Sequence, residues 1–387
     1  MGKKIVQNLL ARAGITINGN EPWDIIVHND NFYKRLIKNT DLAFGESYMD
    51  KWWDCANIDQ LIYRIMKQDL GKALSEYPLF WQSNLKTIFF EGIHRLFNFQ
   101  SKRKALKVGQ RHYDIGNDLY EAMLDKRMVY TCAYWEDANN LDEAQERKLE
   151  LVCQKLYLKP GMTVLDVGCG WGSFVKYAAE NYGISAVGIT VSERQCDLGM
   201  KINDGLPVEI RFQDYRELMK NHEQFDRVVS LGMFEHVGYK NYANYMKCIN
   251  QCLKDDGLFL LHTIGTNKTS PATNKWIDTY IFPNGQIPSI KEIGSTIEGR
   301  FIMEDWQNIG VHYDKTLTAW YENFNKNWDQ LKHQYDERFK RMWDFYLLSC
   351  AAGFRARQLQ LWQVVLSKKG LQQGFQRIHS QSPRRAV

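Results

Sequence analysis

Three alternating glycines, Gly168-Cys169-Gly170-Trp171-Gly172, directly follow the apolar run Thr163-Val164-Leu165-Asp166-Val167. A short apolar run closed by turn residues reads as a buried strand. Glycines at its end let the chain turn sharply and let a ligand touch the backbone with no Cβ in the way. The spacing is G-x-G-x-G, not the G-x-G-x-x-G of a dinucleotide fold, and an acid, Asp166, stands two residues before the first glycine. Four other residues could do chemistry with whatever binds there: Glu235, His262, Cys132 and Tyr313. Each has a bland alternative. Glu235 after a strand could cap a helix, His262 behind an apolar run could be a satisfied core histidine, and Cys132 could be merely buried.

The elements that must position these residues alternate. A long amphipathic helix is expected over Leu141 to Leu158, a strand over Thr163 to Val167 and a helix over Phe174 to Tyr182. A strand over Ala186 to Thr190, a helix over Ser192 to Asn203 and strands over Glu209 to Phe212 and Arg227 to Ser230 follow. After them come a helix over Tyr239 to Leu253 and a strand over Leu258 to Thr263, then helices between Thr316 and Phe354 and a last strand over Leu361 to Leu366. Strands and helices in short alternation predict an α/β domain with a mostly parallel sheet covered on both faces. Before it, helix is expected over Lys4 to Ala13 and Asn31 to Lys38, strand over Asp24 to Val27, and an aromatic-rich helical stretch from Phe44 to Trp53 that packs a core. The division expected is a smaller α+β N-terminal domain (1–97), a basic linker (98–113) and a catalytic domain (114–387) with a lid insertion at about 265–300.

Composition sets the outer bounds. The chain has 387 residues, 44% hydrophobic and 25% charged, which suits two or three globular domains and excludes a disordered tail or a coiled coil. Net charge is only +5, but the basic residues are local. Gly92 to Tyr113 carries Arg95, Lys102, Arg103, Lys104, Lys107 and Arg111 with no acid, and Asp344 is the last acid of the chain. Such stretches point to a local anionic partner, a solvated linker being the plain alternative and an anionic membrane surface the sharper one. The eight cysteines form no C-x-x-C pair, so neither zinc nor a disulfide framework is expected. The N-terminus does not read as a signal peptide, no apolar run is long enough to span a bilayer, and the expected location is cytoplasmic. No nucleic-acid module accompanies the basic stretches.

Asp166 with Gly168, Gly170 and Gly172 resembles motif I of the class I S-adenosylmethionine-dependent methyltransferases. Most of these end the second strand with an acid, whereas this chain has Thr190 in Gly188-Ile189-Thr190-Val191-Ser192-Glu193-Arg194-Gln195. That variant resembles the cyclopropane fatty acid and mycolic acid synthases. Further segments match the same family: Tyr130-Thr131-Cys132-Ala133-Tyr134-Trp135, Gly232-Met233-Phe234-Glu235-His236-Val237-Gly238, Leu261-His262-Thr263-Ile264-Gly265, Tyr280 to Gly285, Val311 to Thr316, and Phe354-Arg355-Ala356-Arg357 ahead of Leu361. The resemblance covers nearly the whole chain. It implies a class I methyltransferase (Rossmann-like) domain with a mostly parallel seven-stranded sheet.

It also implies a methylene transfer from S-adenosylmethionine to the cis double bond of unsaturated phospholipid acyl chains, at the membrane surface, by a homodimer in transient contact with the inner leaflet. Tyr130, Thr131, Asp166, the three glycines, Thr190, Gln195, Gln213, Asp214 and Tyr215 would hold the co-substrate, with Asp214 and Tyr215 near the adenine; a helix cap and a core aromatic are their plain alternatives. A bound bicarbonate would be held by Cys132, Glu235, His262, Ile264 and Tyr313. Bicarbonate has three oxygens and one O–H, so Glu235 can accept from it while His262, Tyr313 and backbone N–H groups at Cys132 and Ile264 donate. The carbocation left by methyl transfer favours aromatic faces around it. Related readings keep the fold and give a methyl- or methylene-branched acyl chain, or an N-methylated amine; a non-catalytic lipid binder would not need the intact motifs.

Overall fold

The computed structural model describes residues 2–68, 116–270 and 274–378. The basic linker expected over 98–113 and the last two arginines, Arg384 and Arg385, lie outside the described residues. The chain divides into two compact units that are discontinuous in sequence. One holds described residues 2–68, 270, 274–283 and 314–359; the other holds 116–269, 284–313 and 360–378.

In the first unit, the helices Gly2–Arg12, Asn31–Lys38, Thr40–Met49 and Ile58–Lys67 surround a two-stranded antiparallel ribbon of β1 (Ile26–Val27) and β2 (Trp53–Asp54). The helices Lys275–Tyr280 and Glu337–Arg355 belong to the same unit. The expected aromatic core is there. Trp53 is fully buried, its ring centroid 4.7 Å from Phe44 and 4.9 Å from Tyr48. Phe345 adds an edge contact to Trp276 at 4.8 Å. Arg341 ties the cluster's rim: its guanidinium lies 3.8 Å over the Tyr48 ring and donates to the Tyr48 and Trp53 carbonyls and to Asp54. A planar fork that stacks and donates in several directions is a role lysine cannot fill.

The second unit is built on a seven-stranded sheet. Its strands are β3 (Thr163–Val167), β4 (Ser185–Thr190), β5 (Val208–Phe212), β6 (Phe225–Leu231), β7 (Leu253–Gly265), β8 (Ile302–Asn308) and β9 (Gln360–Ser367). They lie in the order β5-β4-β3-β6-β7-β9-β8, the first five parallel and β9 antiparallel to both neighbours. Side chains alternate between two cores. Leu165, Val167, Phe259 and Leu261 pack with helix Tyr242–Cys252 on one face. Val164, Leu258 and Leu260 pack with helices Leu141–Lys155 and Ser173–Tyr182 on the other. By the same period of two, Asp166 and His262 share the face covered by Leu141–Lys155.

The main elements expected from the sequence are present, with differences: Trp53, expected in a helical stretch, lies in strand β2, and the strand expected over Asp24 to Val27 is only Ile26–Val27. Strand β8 has no counterpart among the expected elements: Ile302-Met303-Glu304-Asp305-Trp306-Gln307-Asn308 shows neither alternation nor an apolar run. It is an edge strand with Ile302 and Met303 47% and 44% exposed, so burial never selected its composition. The helices expected between Thr316 and Phe354 are Val311–Lys326, Trp328–Leu331 and Glu337–Arg355. The last opens at a side-chain cap from Asp336 to the Phe339 amide. Among the described residues no helix is long and apolar enough to cross a membrane.

Candidate functional site

The parallel strands β3, β4, β6 and β7 deliver the candidate residues at or just beyond their C-terminal ends, where ligands of open α/β sheets bind. After β3 the chain enters the glycine turn with Gly168 at φ +87° and Gly170 at φ +57°, left-handed conformations that favour glycine. The two glycines differ in surroundings. A Cβ on Gly168 would sit 2.6 Å from the Met233 side chain, whereas one on Gly170 would meet nothing within 4 Å. The first is closed by packing, and the second faces open space at a helix N-terminus, which suits an anionic or carboxylate group. Asp166 is 1% exposed, and its Oδ1 has no hydrogen-bond partner. Burial pushes its carboxyl up to about 7, against the pull of the Lys148 ammonium.

Beyond β4 the Thr-x-Ser-x-x-Gln run closes on itself. The Thr190 hydroxyl donates to Gln195 Oε1 at 2.9 Å and accepts from the Ser192 amide, while Ser192 caps the helix Glu193–Ile202 by accepting from the Gln195 amide. That leaves the Gln195 amide nitrogen facing away from Thr190. Beyond β5, the Gln213 backbone N–H is held by the Thr190 carbonyl, and its buried Nε2 has no partner. Asp214 and Tyr215 make the contacts of a cap and of a core aromatic, and the buried Tyr215 hydroxyl has no hydrogen-bond partner. Asp214 caps the short helical turn Tyr215–Glu217 and bonds the Arg216 guanidinium, and Tyr215 lies in a core cluster with its ring 5.1 Å from Tyr245.

Beyond β6 and β7 stand Glu235 and His262. Glu235 sits in the short turn Phe234–His236, and its Oε1 accepts the Ile264 amide at 2.6 Å. So Ile264 and Glu235, expected as separate members of the set, are partners. Glu235 Oε2 is buried with no partner, and burial pushes the carboxyl up to about 7. His262, 1% exposed, pairs across the sheet with Gln363, whose Nε2 lies 3.3 Å from Nδ1. With that amide orientation Nδ1 accepts and the ring proton sits on Nε2, which is buried without a partner. Burial, with the Lys148 and Lys155 ammoniums behind it, holds His262 neutral, well below the usual imidazole range. One carboxylate oxygen and one imidazole N–H are thus left to bind a ligand, an acceptor and a donor.

Cys132 is fully buried, with its thiol toward the Ala133 carbonyl. Tyr313, 9% exposed, lies in the first turn of Val311–Lys326, next to His312, whose Nδ1 accepts the Trp135 amide at 3.3 Å. Tyr130 packs edge-on against Tyr120 at 5.1 Å. The Thr131 hydroxyl accepts from Lys148 Nζ at 2.8 Å.

The sequence reading passed over three residues that shape this region. Gln286 fixes the Glu235 turn: its amide donates to the Glu235 carbonyl, its Oε1 accepts the Tyr239 amide, and its carbonyl accepts the Tyr242 hydroxyl. Gln145 and Lys148, both fully buried on helix Leu141–Lys155, are the others. Their signal was in the pattern. With Leu141, Leu149 and Val152 they complete one helical face, so two polar residues stand where apolar ones belong.

The order of the strands, the reversed β9 and the glycine turn after β3 make this the fold of the class I S-adenosylmethionine-dependent methyltransferases. Comparison narrows the class. The mycolic acid cyclopropane synthetase family model matches residues 100–364. The cyclopropane-fatty-acyl-phospholipid synthase of Escherichia coli strain K12 is 50% identical over 372 residues, 96% of this chain and 94% of that one. Among solved structures, a cyclopropane synthase of Mycobacterium tuberculosis is similar at a TM-score of 0.64 and 32% identity, over 68% of this chain and 98% of that one. A mycolic acid cyclopropane synthase complexed with SAH and CTAB gives a TM-score of 0.63 at 32% identity over the same shares. The chain belongs to the mycolic acid cyclopropane synthetase family.

Proposed function

We propose that this chain transfers a methylene group from S-adenosylmethionine to the cis double bond of an unsaturated phospholipid acyl chain, releasing S-adenosylhomocysteine. The observation that carries the reading is the 50% identity to the Escherichia coli enzyme across 96% of the chain, which takes in both compact units. An isolated alkene is a weak nucleophile, so it needs a sulfonium donor held in line in a dry pocket. Its π electrons form the new C–C bond as the S–CH3 bond breaks. Loss of one proton from the new methyl closes the three-membered ring.

The donor suits the glycine turn: Gly170 opens onto free space, and Asp166 Oδ1 and Gln213 Nε2 offer a buried acceptor and donor without partners. Gln213 Nε2, a buried donor without a partner, joins Asp214 as a candidate for the adenine edge. Bicarbonate fits the second pair. Glu235 Oε2 would accept its O–H and His262 Nε2–H would donate to it, with Cys132 and Tyr313 completing the set. When bound, that ion supplies a base mild enough not to trap the cation. Here Ile264 acts on Glu235, holding the carboxylate by its amide.

Residues 1–97 are read as the lipid-docking and dimer-coupling domain, supported by the reach of the Escherichia coli match, and the linker 98–113 as a basic stretch suited to an anionic lipid surface, supported by its charge. The experiment is to incubate the protein with S-adenosylmethionine, bicarbonate and vesicles of cis-monounsaturated phospholipid, anionic or zwitterionic, and to analyse the fatty acid methyl esters by mass spectrometry. A gain of one carbon and two hydrogens that resists mild hydrogenation is expected. A product that takes up hydrogen is a methylene branch and overturns the ring-closing reading. Unchanged turnover after bicarbonate is stripped from the buffer overturns the anion.

A further inference from the structure

A lysine with no exposed surface is rare, and one inside a site whose other members are carboxylates and a neutral imidazole needs a reason. Lys148 is such a residue. It stands one turn after Gln145 on helix Leu141–Lys155, and the two grip the same stretch of chain. Gln145 Nε2 donates to the Thr131 carbonyl at 2.8 Å and lies 3.3 Å from the Val129 carbonyl, and Lys148 Nζ donates to the Thr131 hydroxyl at 2.8 Å. From the other side Asp125 holds the Val129 amide at 2.9 Å. Space behind the gripped residue is closed: a Cβ on Gly232 would come within 2.8 Å of Thr131 Cγ2. The stretch so fixed, Val129 to Cys132, carries Tyr130, Thr131 and Cys132, while Gly232 opens the turn that carries Glu235.

Charge points the same way. Lys148 faces Asp125, Asp166, Cys132 and His262, and its ammonium opposes the rise that burial imposes on Asp166. Asp166 itself faces Lys148, Cys169 and Tyr245. We propose that Lys148 is a positioning residue: with Gln145 it clamps the Val129–Cys132 stretch to helix Leu141–Lys155, and it sets its positive charge over the sheet face from which Asp166 meets the donor substrate. This rests on the reading of the glycine turn as the donor site, and SAH binding by the parent protein tests that reading separately.

Burial lowers the Lys148 ammonium to about 8, so the test is a double-mutant cycle on the full chain with Lys148→Met, Asp166→Asn and both together, read first as thermal unfolding without ligand at pH 7. Lys148→Met leaves a buried carboxylate unopposed and lowers the melting temperature; in the Asp166→Asn background the same change costs much less. Strictly additive losses overturn the charge role. The second readout is SAH affinity against pH by calorimetry. Lys148→Met is expected to bind about tenfold more weakly at pH 7 and to recover toward pH 9, as Asp166 ionises without help. Parent-like affinity at pH 7, or a loss that does not change with pH, overturns it. Should Lys148→Met not fold, Gln145→Leu and Thr131→Val cut the clamp and keep the charge. Each is expected to weaken SAH about fivefold, one lost hydrogen bond, and parent affinity in both overturns the clamp.

Discussion

Replacing Glu235 by Gln should make the ligand-free protein more stable at pH 8 and leave it little changed at pH 4. Glu235 is 8% exposed, and burial moves its carboxyl from 4.5 up to about 7. The folded state therefore holds that proton where the unfolded chain releases it. Below 4.5 both states are protonated and the carboxyl costs nothing. Between 4.5 and 7 the native state binds more protons than the unfolded one, so stability falls as pH rises; above 7 the loss is complete. The gap between 4.5 and about 7 corresponds to about 3 kcal/mol. Glutamine cannot ionise, keeps an oxygen for the Ile264 amide and puts an uncharged NH2 where Oε2 has no partner. Asp166 and Asp125 are also pushed up by burial, to about 7 and about 6, but they are common to both proteins and cancel in the difference. Urea unfolding of parent and variant at several values from pH 4 to pH 8 measures it. A parent-minus-variant difference that is flat across that range, or that favours the parent at high pH, refutes the reasoning.

The two front glycines of the turn should fail differently. Gly168→Ala meets Met233 and should destabilise the fold by more than about 1 kcal/mol, seen as a lower melting temperature, whereas Gly170→Ala should carry little beyond the strain of its positive φ and show its loss in SAH affinity. In the first compact unit, Arg341→Lys keeps the charge but not the fork that serves two carbonyls, Asp54 and the Tyr48 face. Urea unfolding should show a cost of about 1–2 kcal/mol.

How far the molecule could be read before folding depended on whether a residue's job follows its local pattern. The parallel strands were legible because they are buried on both faces, so Val164 and Leu165 are both apolar although they serve opposite cores. The edge strand β8 was not, because its exposed side chains carry no such constraint and its one buried acid, Asp305, is held by Lys155 and by Arg377, 72 residues further on. Of the candidate site, Asp166, the glycines, Glu235 and His262 announced themselves as motif residues at strand ends. Gln145 and Lys148 showed only as polar residues on an apolar helix face and Gln286 not at all, because each acts through a contact distant in sequence.

The same distinction explains where the site's instability comes from. Asp125, Asp166 and Glu235 are each buried so that ionisation is disfavoured, and His262 is held neutral by the same burial. An arrangement made only for stability would replace such groups by apolar ones. They stand as a set, with Lys148 as a buried counter-charge for two of the three acids. For the proposed reaction, which passes through a carbocation, this is the favourable balance. Groups near neutrality at working pH can accept or donate one proton, yet none is a strong exposed nucleophile that would capture the cation before its ring closes. Stability given up at Glu235 and Asp166 is then a measure of that restraint, and the glutamine variant should gain it only by losing turnover.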